Sequence, residues 1–292
     1  MPIPFFKEIH IENTNACGYK CVMCPREKQT RKIGYMPLGD LNFALDRIGP
    51  FEGDFHLHGF GEPLLDRSLI HKIRLLSEKY PTSRSIIFST LGVRMDEERL
   101  QELAFSGLGG LYVSLYGFTS DGYAKVHGFN GFELVKRNLL TLSQALKGGN
   151  SPLKIHVKVP SPHAASSLPM ADLSEGVSFC KWIERMGLEV AVWPSIHNFG
   201  DGRNYNVPDQ NRLCPVIQGM RRNILNITWD LSVIPCCYDF NATIRFGNLR
   251  HQTLEEIFSS PEYLRFFLAH QTEDLLEYPV CQNCEKHDYS EP

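Results

Sequence analysis

Ile11–Pro25 reads IENTNACGYKCVMCP, with thiols at Cys17, Cys21 and Cys24 separated by three and then two residues. The apolar stretch Phe5–Glu12 ahead of them reads as a β-strand. The three cysteines therefore leave the C-terminal end of a strand, which is where parallel α/β folds gather their chemistry. Working outward, short apolar runs alternate with longer amphipathic ones, as βα units around a parallel sheet require. Further strands are expected at Asp54–His58, Ser85–Ser89, Gly110–Leu115, Leu153–Val159 and Leu188–Trp193. Helices are expected between them, the clearest at Asp66–Tyr80, Asp96–Phe105, Phe132–Leu146 and Leu173–Met186, each with apolar residues at three-to-four spacing. Six βα units fall two short of a closed eight-stranded barrel, so the expected fold is α/β, a partial (β/α)6 barrel of the TIM type.

The chain has 292 residues, 42% of them hydrophobic, enough for one large domain and a small appendage. Its formal net charge is -3, and no run of Lys or Arg forms a stripe suited to a phosphate backbone, so nucleic acid is not an expected partner. No apolar stretch approaches the roughly 20 residues that a membrane helix needs. The start, MPIPFFKEIHIEN, lacks the layout of a secretion signal, so a cytoplasmic location and no membrane partner are expected. In a reducing compartment, clustered thiols point to metal ligation or catalysis. Beyond the first trio, Cys214, Cys236, Cys237, Cys281 and Cys284 gather in the last third, with Cys180 alone between the groups. Three thiolates on a four-iron cube leave one iron open to a substrate or cofactor, much as catalytic zinc keeps an open position. A zinc knuckle with a distant fourth ligand is the competing reading.

The CxxxCxxC spacing and its flanks resemble the signature of the radical S-adenosylmethionine superfamily. The resemblance implies a 4Fe-4S cluster on Cys17, Cys21 and Cys24 whose open iron chelates S-adenosylmethionine. One-electron cleavage would then give a 5′-deoxyadenosyl radical that abstracts a substrate hydrogen. Met23 stands where relatives carry an aromatic residue, and would keep apolar contact with adenine. Gly59-Phe60-Gly61-Glu62-Pro63 is similar to the family's glycine-glycine-glutamate-proline element, whose backbone receives the cofactor's ammonium. Ser89 and Thr90 end the third strand where relatives often read Thr-Asn-Gly, and Leu91 departs from that pattern. Ser114 resembles a position that binds the methionyl group, and His127 stands before Gly128 where relatives frequently have arginine.

After Trp193, Pro194–Asn211 is rich in Gly, Asn, Asp and Pro and reads as a loop. The expected division is 1–195 for the barrel, 196–213 for a linker or substrate loop and 214–292 for a small cysteine-rich domain. In the last segment a hairpin is expected from Asn223–Trp229 and Ser232–Cys236 turning at Asp230-Leu231, then short helices at Thr253–Phe258 and Glu262–His270. This segment resembles the twitch form of the SPASM auxiliary iron-sulfur domain. The resemblance implies a second 4Fe-4S cluster on Cys214, Cys236, Cys281 and Cys284; spacing alone leaves Cys236 and Cys237 as alternatives, and structural zinc on the same thiolates is the other reading. The thiols left over, Cys237 and Cys180, are candidate hydrogen donors; the plainer reading of each is a buried core side chain, more so for Cys180 within the apolar face of its expected helix.

The function that follows is oxidation of a carbinol in a small sugar or aminocyclitol, with the auxiliary cluster as electron acceptor and a flavodoxin or ferredoxin as donor. His197, Asp201 and Arg203 are candidate substrate contacts. The alternatives are a radical epimerase using Cys237, a ribosomal-peptide maturase and a non-enzymatic zinc protein.

Overall fold

Strand β1 (Glu8–Ile11) and strand β2 (Asp54–His56) alternate polar and apolar residues, and this period of two sets the two faces of the sheet. The computed structural model describes residues 4–93, 95–169, 173–199, 205, 214 and 224–284. Strands β3 (Ser85–Ser89), β4 (Gly110–Ser114), β5 (Lys154–Pro160) and β6 (Glu189–Trp193) continue the sheet, all parallel. Ile9, Ile11, Phe55, Leu57, Ile87, Leu111, Val113, Ile155 and Val157 form the outer face, each at most 3% exposed beneath the helices. Burying such side chains contributes about 1.5–3 kcal/mol each.

Between the strands lie α1 (Leu38–Ile48), α2 (Leu69–Lys79), α3 (Glu97–Ala104), α4 (Ser120–His127), α5 (Phe132–Lys147), the short α6 (Pro162–Ser166) and α7 (Gly176–Arg185). Local chemistry sets their ends. Asp96 caps α3 by accepting the Arg99 amide at 2.8 Å, and Gly128 closes α4 in the left-handed conformation, φ 66°. The expected helix Leu173–Met186 begins as one 3-10 turn at Leu173–Glu175 and becomes α-helical from Gly176. The expected strands at Phe5–Glu12 and Asp54–His58 are regular only over Glu8–Ile11 and Asp54–His56. The bonding nevertheless runs on, with Glu12 N donating to Ile227 O and Leu57 N to Ile86 O, both at 2.8 Å.

The hairpin forms as β7 (Ile224–Ile227) and β8 (Ser232–Ile234), with Leu231 at φ 68° in its turn; Asn223 lies outside the described residues. β7 pairs in parallel with β1 over Glu8↔Ile224 to Ile11↔Ile227, and β8 continues antiparallel to β9 (Gly247–Asn248). The strand order is β6-β5-β4-β3-β2-β1-β7-β8-β9, one sheet through both cysteine-bearing regions. The helices α8 (Leu254–Phe258), α9 (Pro261–Gln271) and α10 (Pro279–Gln282) follow. A capping box between Thr253 and Glu256 starts α8. No helix among the described residues is long and apolar enough to cross a membrane.

Candidate active site

The loop after β1 is held by its own polar side chains. Glu12 accepts both guanidinium arms of Arg31 at 2.7 Å, Asn13 donates to Asp66 at 3.2 Å, and Asn15 clasps Lys32 O and Gly34 N at 2.9 and 2.8 Å. Buried charge-assisted pairs of this kind fix geometry. The amides of Lys20 and Val22 then donate to His127 O and Val126 O, which docks the cysteine turn on α4.

On this frame Cys17, Cys21 and Cys24 converge. Burial pushes the Cys17 thiol up to about 11 and the Cys21 thiol further, and each is raised again by its neighbouring cysteines. Thiols this close resist ionising together, so the set suits a cationic centre that compensates their charge. A tetrahedral zinc with Zn–S of 2.3 Å would hold its sulfurs about 3.8 Å apart. Among the described residues no three cysteine sulfurs all lie within 4.8 Å of one another.

Gly59 and Gly61 are required by close approach. A Cβ on Gly61 would stand 2.3 Å from Thr14 O and 2.7 Å from Ala16 O, and one on Gly59 would meet the Glu12 side chain at 2.4 Å. Glu62, 2% exposed, accepts from Ser89 Oγ at 2.6 Å, Thr90 N and Oγ1 at 2.8 Å, and Leu64 N at 3.2 Å. The structure thus joins Glu62, Ser89 and Thr90 in one knot that ties the ends of β2 and β3. Burial raises the Glu62 carboxyl above its usual range, opposed by these four donors. Leu91, next in line, has φ 54° and is held by Asn138 Nδ2 donating to its carbonyl at 2.8 Å.

Met23 packs in a small apolar group with Tyr116, Val126, Ala164, Leu168 and Ile196. Ser114 ends β4, hydrogen-bonded to the Tyr116 side chain. His127 is placed against the cysteine turn. It is 1% exposed, its Nδ1 lies 3.4 Å from Cys21 Sγ, and its Nε2 accepts the Tyr116 amide at 3.1 Å. Both ring nitrogens have partners, and burial drives its pKa down to about 3, so the ring is neutral where it meets the cysteine loop.

The second set also assembles. Cys236 follows β8, Cys281 lies on α10 and Cys284 follows it. The Cys236 thiol is pushed well above its usual range by burial and then by Cys237, Cys281, Cys214 and Cys284. Cys237 is exposed, while Cys180 is half-buried against the main core. Phe60, inside the glycine-rich loop, packs on Phe240 and Phe199 at 5.3 and 5.6 Å, and Arg31 Nε donates to Phe240 O at 2.8 Å, so the two cysteine regions share a wall. His197 hydrogen-bonds Tyr238 Oη through Nδ1 at 2.8 Å. Asp201 and Arg203 lie outside the described residues.

The pattern reading passed over the inner face of the sheet. Parallel strands buried on both sides are near-continuously apolar, yet Glu8, His10, His56, His58, Phe88, Tyr112, His156, Lys158 and Trp193 occur at alternate positions facing away from the helices. Rings line up along this face: His58 packs tilted on Phe88 at 4.5 Å, Phe88 stacks on Tyr112 at 4.7 Å and Tyr112 on His156 at 4.5 Å. Lys158 Nζ sits 3.3 Å from the Trp193 ring centre and 4.7 Å from that of Phe88. Burial lowers its pKa to about 7. Its register with Ser114 puts it at the C-terminal rim of the sheet. The signal was present in the sequence, in the strict alternation of EIHIE, DFHLH and IHVK.

Residues 11–155 match the model of the Radical SAM superfamily, and residues 214–285 match SPASM, an iron-sulfur cluster-binding domain. The chain is similar to the S-adenosyl-L-methionine-dependent 2-deoxy-scyllo-inosamine dehydrogenase of Niallia circulans, 24% identical over 96% of this chain and 92% of that protein. It also resembles the mycofactocin maturase MftC of Mycobacterium tuberculosis, 25% identical over 65% of this chain and 48% of that protein. Among solved structures, BtrN with AdoMet and 2-DOIA matches at TM-score 0.61 and 21% identity, over 96% of this chain and 93% of that one. AnSMEcpe with bound AdoMet matches at TM-score 0.65 and 14% identity, over 96% and 89%. At such identities the structural likeness speaks for the fold.

Proposed function

We propose, from the premise that this chain belongs to the radical SAM superfamily and carries a SPASM iron-sulfur domain, that it dehydrogenates a carbinol carbon of a small polyhydroxylated substrate of the sugar or aminocyclitol class. It is an enzyme that works with S-adenosylmethionine and 4Fe-4S clusters, and the non-enzymatic zinc reading is set aside. When bound, these groups supply a carbon-centred radical that abstracts a substrate hydrogen and an auxiliary cluster that takes up an electron.

The chain's own residues provide the rest. Cys17, Cys21 and Cys24 hold the first cluster, with Gly59, Gly61, the Glu62–Ser89–Thr90 knot, Met23 and Ser114 shaping the S-adenosylmethionine site beside it. Cys214, Cys236, Cys281 and Cys284 hold the auxiliary cluster. Oxidation of a carbinol also requires a proton acceptor for the hydroxyl. Lys158 carries this reading: an amine buried against Phe88 and Trp193, with a pKa of about 7, exists partly neutral at working pH and accepts that proton at Nζ. The Niallia circulans relative supports the substrate class. A flavodoxin or ferredoxin is the proposed reductant. The division into 1–195, 196–213 and 214–292 is proposed as the functional one.

Redox-neutral epimerisation is the second reading, favoured by the exposed Cys237 next to Cys236, whose thiol would return a hydrogen atom to the substrate radical. Anaerobic turnover with dithionite, S-adenosylmethionine and aminocyclitols in deuterated water separates the two. Dehydrogenation yields a product about two mass units lighter without solvent label; epimerisation yields one with a single deuterium. Absence of 5′-deoxyadenosine with every such substrate overturns both.

A further inference from the structure

We propose that Glu8, His10 and His56 form a mononuclear site for a divalent cation of the zinc class on the inner face of the sheet, separate from both cysteine sets. His10 and His56 face each other across the β1–β2 register, with ring centroids 4.4 Å apart, and Glu8 lies two residues earlier on the same face. Glu8 Oε2 is 3.2 Å from His10 Nε2 and 3.7 Å from His56 Nε2, and all three ligand atoms lie within 4.8 Å of one another. A tetrahedral ion bound at 2.0–2.2 Å by nitrogen and oxygen separates its ligands by about 3.3 Å. The three atoms are already close to that triangle.

The site is built into the fold. Glu8 and His56 are 5% and 8% exposed, and their backbones are fixed by sheet bonding. His58, whose ring lies 5.3 Å from His10 and 5.4 Å from His56, has a buried Nδ1 with no hydrogen-bond partner among the described residues, so this part of the inner face holds unused ligand capacity. Two imidazoles and one carboxylate prefer zinc-class ions to magnesium or calcium, which take oxygen ligands. Three protein donors leave a position for water or for a hydroxyl of a molecule lying on this face. The assignment stands whether or not the proposed oxidation is correct.

The test uses holoenzyme with its iron content measured. Equilibrated anaerobically with Zn2+ and freed of excess, it is expected to retain about one zinc per chain beyond its iron, with a nitrogen and oxygen shell and imidazole scattering at the zinc absorption edge. The double variant His10→Asn, His56→Asn should bind zinc more than about 100-fold more weakly at equal iron content, since loss of even a supporting group costs up to that much. His71→Asn, on the exposed side of α2, should keep it. Sulfur in the zinc shell, no retained zinc, or equal zinc in wild type and double variant overturns the proposal. If the double variant fails to fold, the absorption edge of the wild-type protein decides alone.

Discussion

His127 Nδ1 lies 3.4 Å from Cys21 Sγ, and Nε2 of the same ring accepts the Tyr116 amide. An accepting Nε2 fixes the neutral tautomer with its proton on Nδ1, so the ring donates toward the sulfur. Hydrogen bonds to cluster sulfurs favour the reduced, more negative state. His127→Phe is therefore expected to move the first cluster's midpoint potential to more negative values at unchanged iron content, read by a redox titration followed by electron paramagnetic resonance. An unchanged potential refutes the role.

Cys236 is half-buried, and its thiol is pushed up by burial and by Cys237, Cys281, Cys214 and Cys284, whereas Cys237 is exposed. Cys237→Ala should leave iron near about eight per chain, and Cys236→Ala should lower it toward about four, counting two four-iron cubes. Iron and sulfide analysis after anaerobic purification decides between them; the reverse order would exchange the two assignments.

Lys158 links activity and stability to pH. Its folded value, about 7, lies below the usual 10.5, so between those values the unfolded chain holds the proton more often than the folded one. Stability from this residue therefore rises with pH through that window, and burial of its charge is most costly below it. Lys158→Met should be more stable than wild type near ~pH 6, with the gap closing toward ~pH 10, and should lack the rise in turnover through about pH 7. Denaturant midpoints and rates across pH measure both.

Glu62 satisfies four donors at once. Glu62→Ala strands the Ser89 and Thr90 hydroxyls and the Thr90 and Leu64 amides, at an expected cost of about 3 kcal/mol. Glu62→Gln, which keeps an acceptor oxygen, should lose less. Urea unfolding of the cluster-free proteins tests the ranking.

Leu91 sets two effects against each other. Its left-handed backbone costs about 1–2 kcal/mol, which Asn would partly relieve. Its side chain is fully buried, and shortening a buried leucine costs about 2–5 kcal/mol. Leu91→Asn should thus be destabilising by about 2 kcal/mol in the same unfolding experiment. A more stable variant would show that strain dominates.

The spacing of Cys17, Cys21 and Cys24, the six parallel strands and the glycines of GFGEP were legible because each is a short-range pattern. The glycines were read as exposing backbone to a ligand, and the structure adds that the missing Cβ of Gly61 admits the Thr14 and Ala16 carbonyls and that of Gly59 the Glu12 side chain. The contact of His127 with Cys21 could not be read from the sequence, since the two stand 106 residues apart. The inner-face row was readable from period two, but the alternation alone does not say that a polar face is buried. The parallel pairing of β7 with β1 leaves no local trace, because its partners are over 200 residues apart.

That pairing makes the C-terminal region an edge guard. Remove everything after residue 213 and β1 is left with bare amides and carbonyls along one side, a template for joining another chain. The first cysteine loop, which leaves β1 directly and leans on Trp229 and Ile227 through Glu12, would lose its footing in the same cut. A catalytic fragment trimmed to the barrel alone is thus expected to self-associate, and to forfeit iron at the very loop it retains.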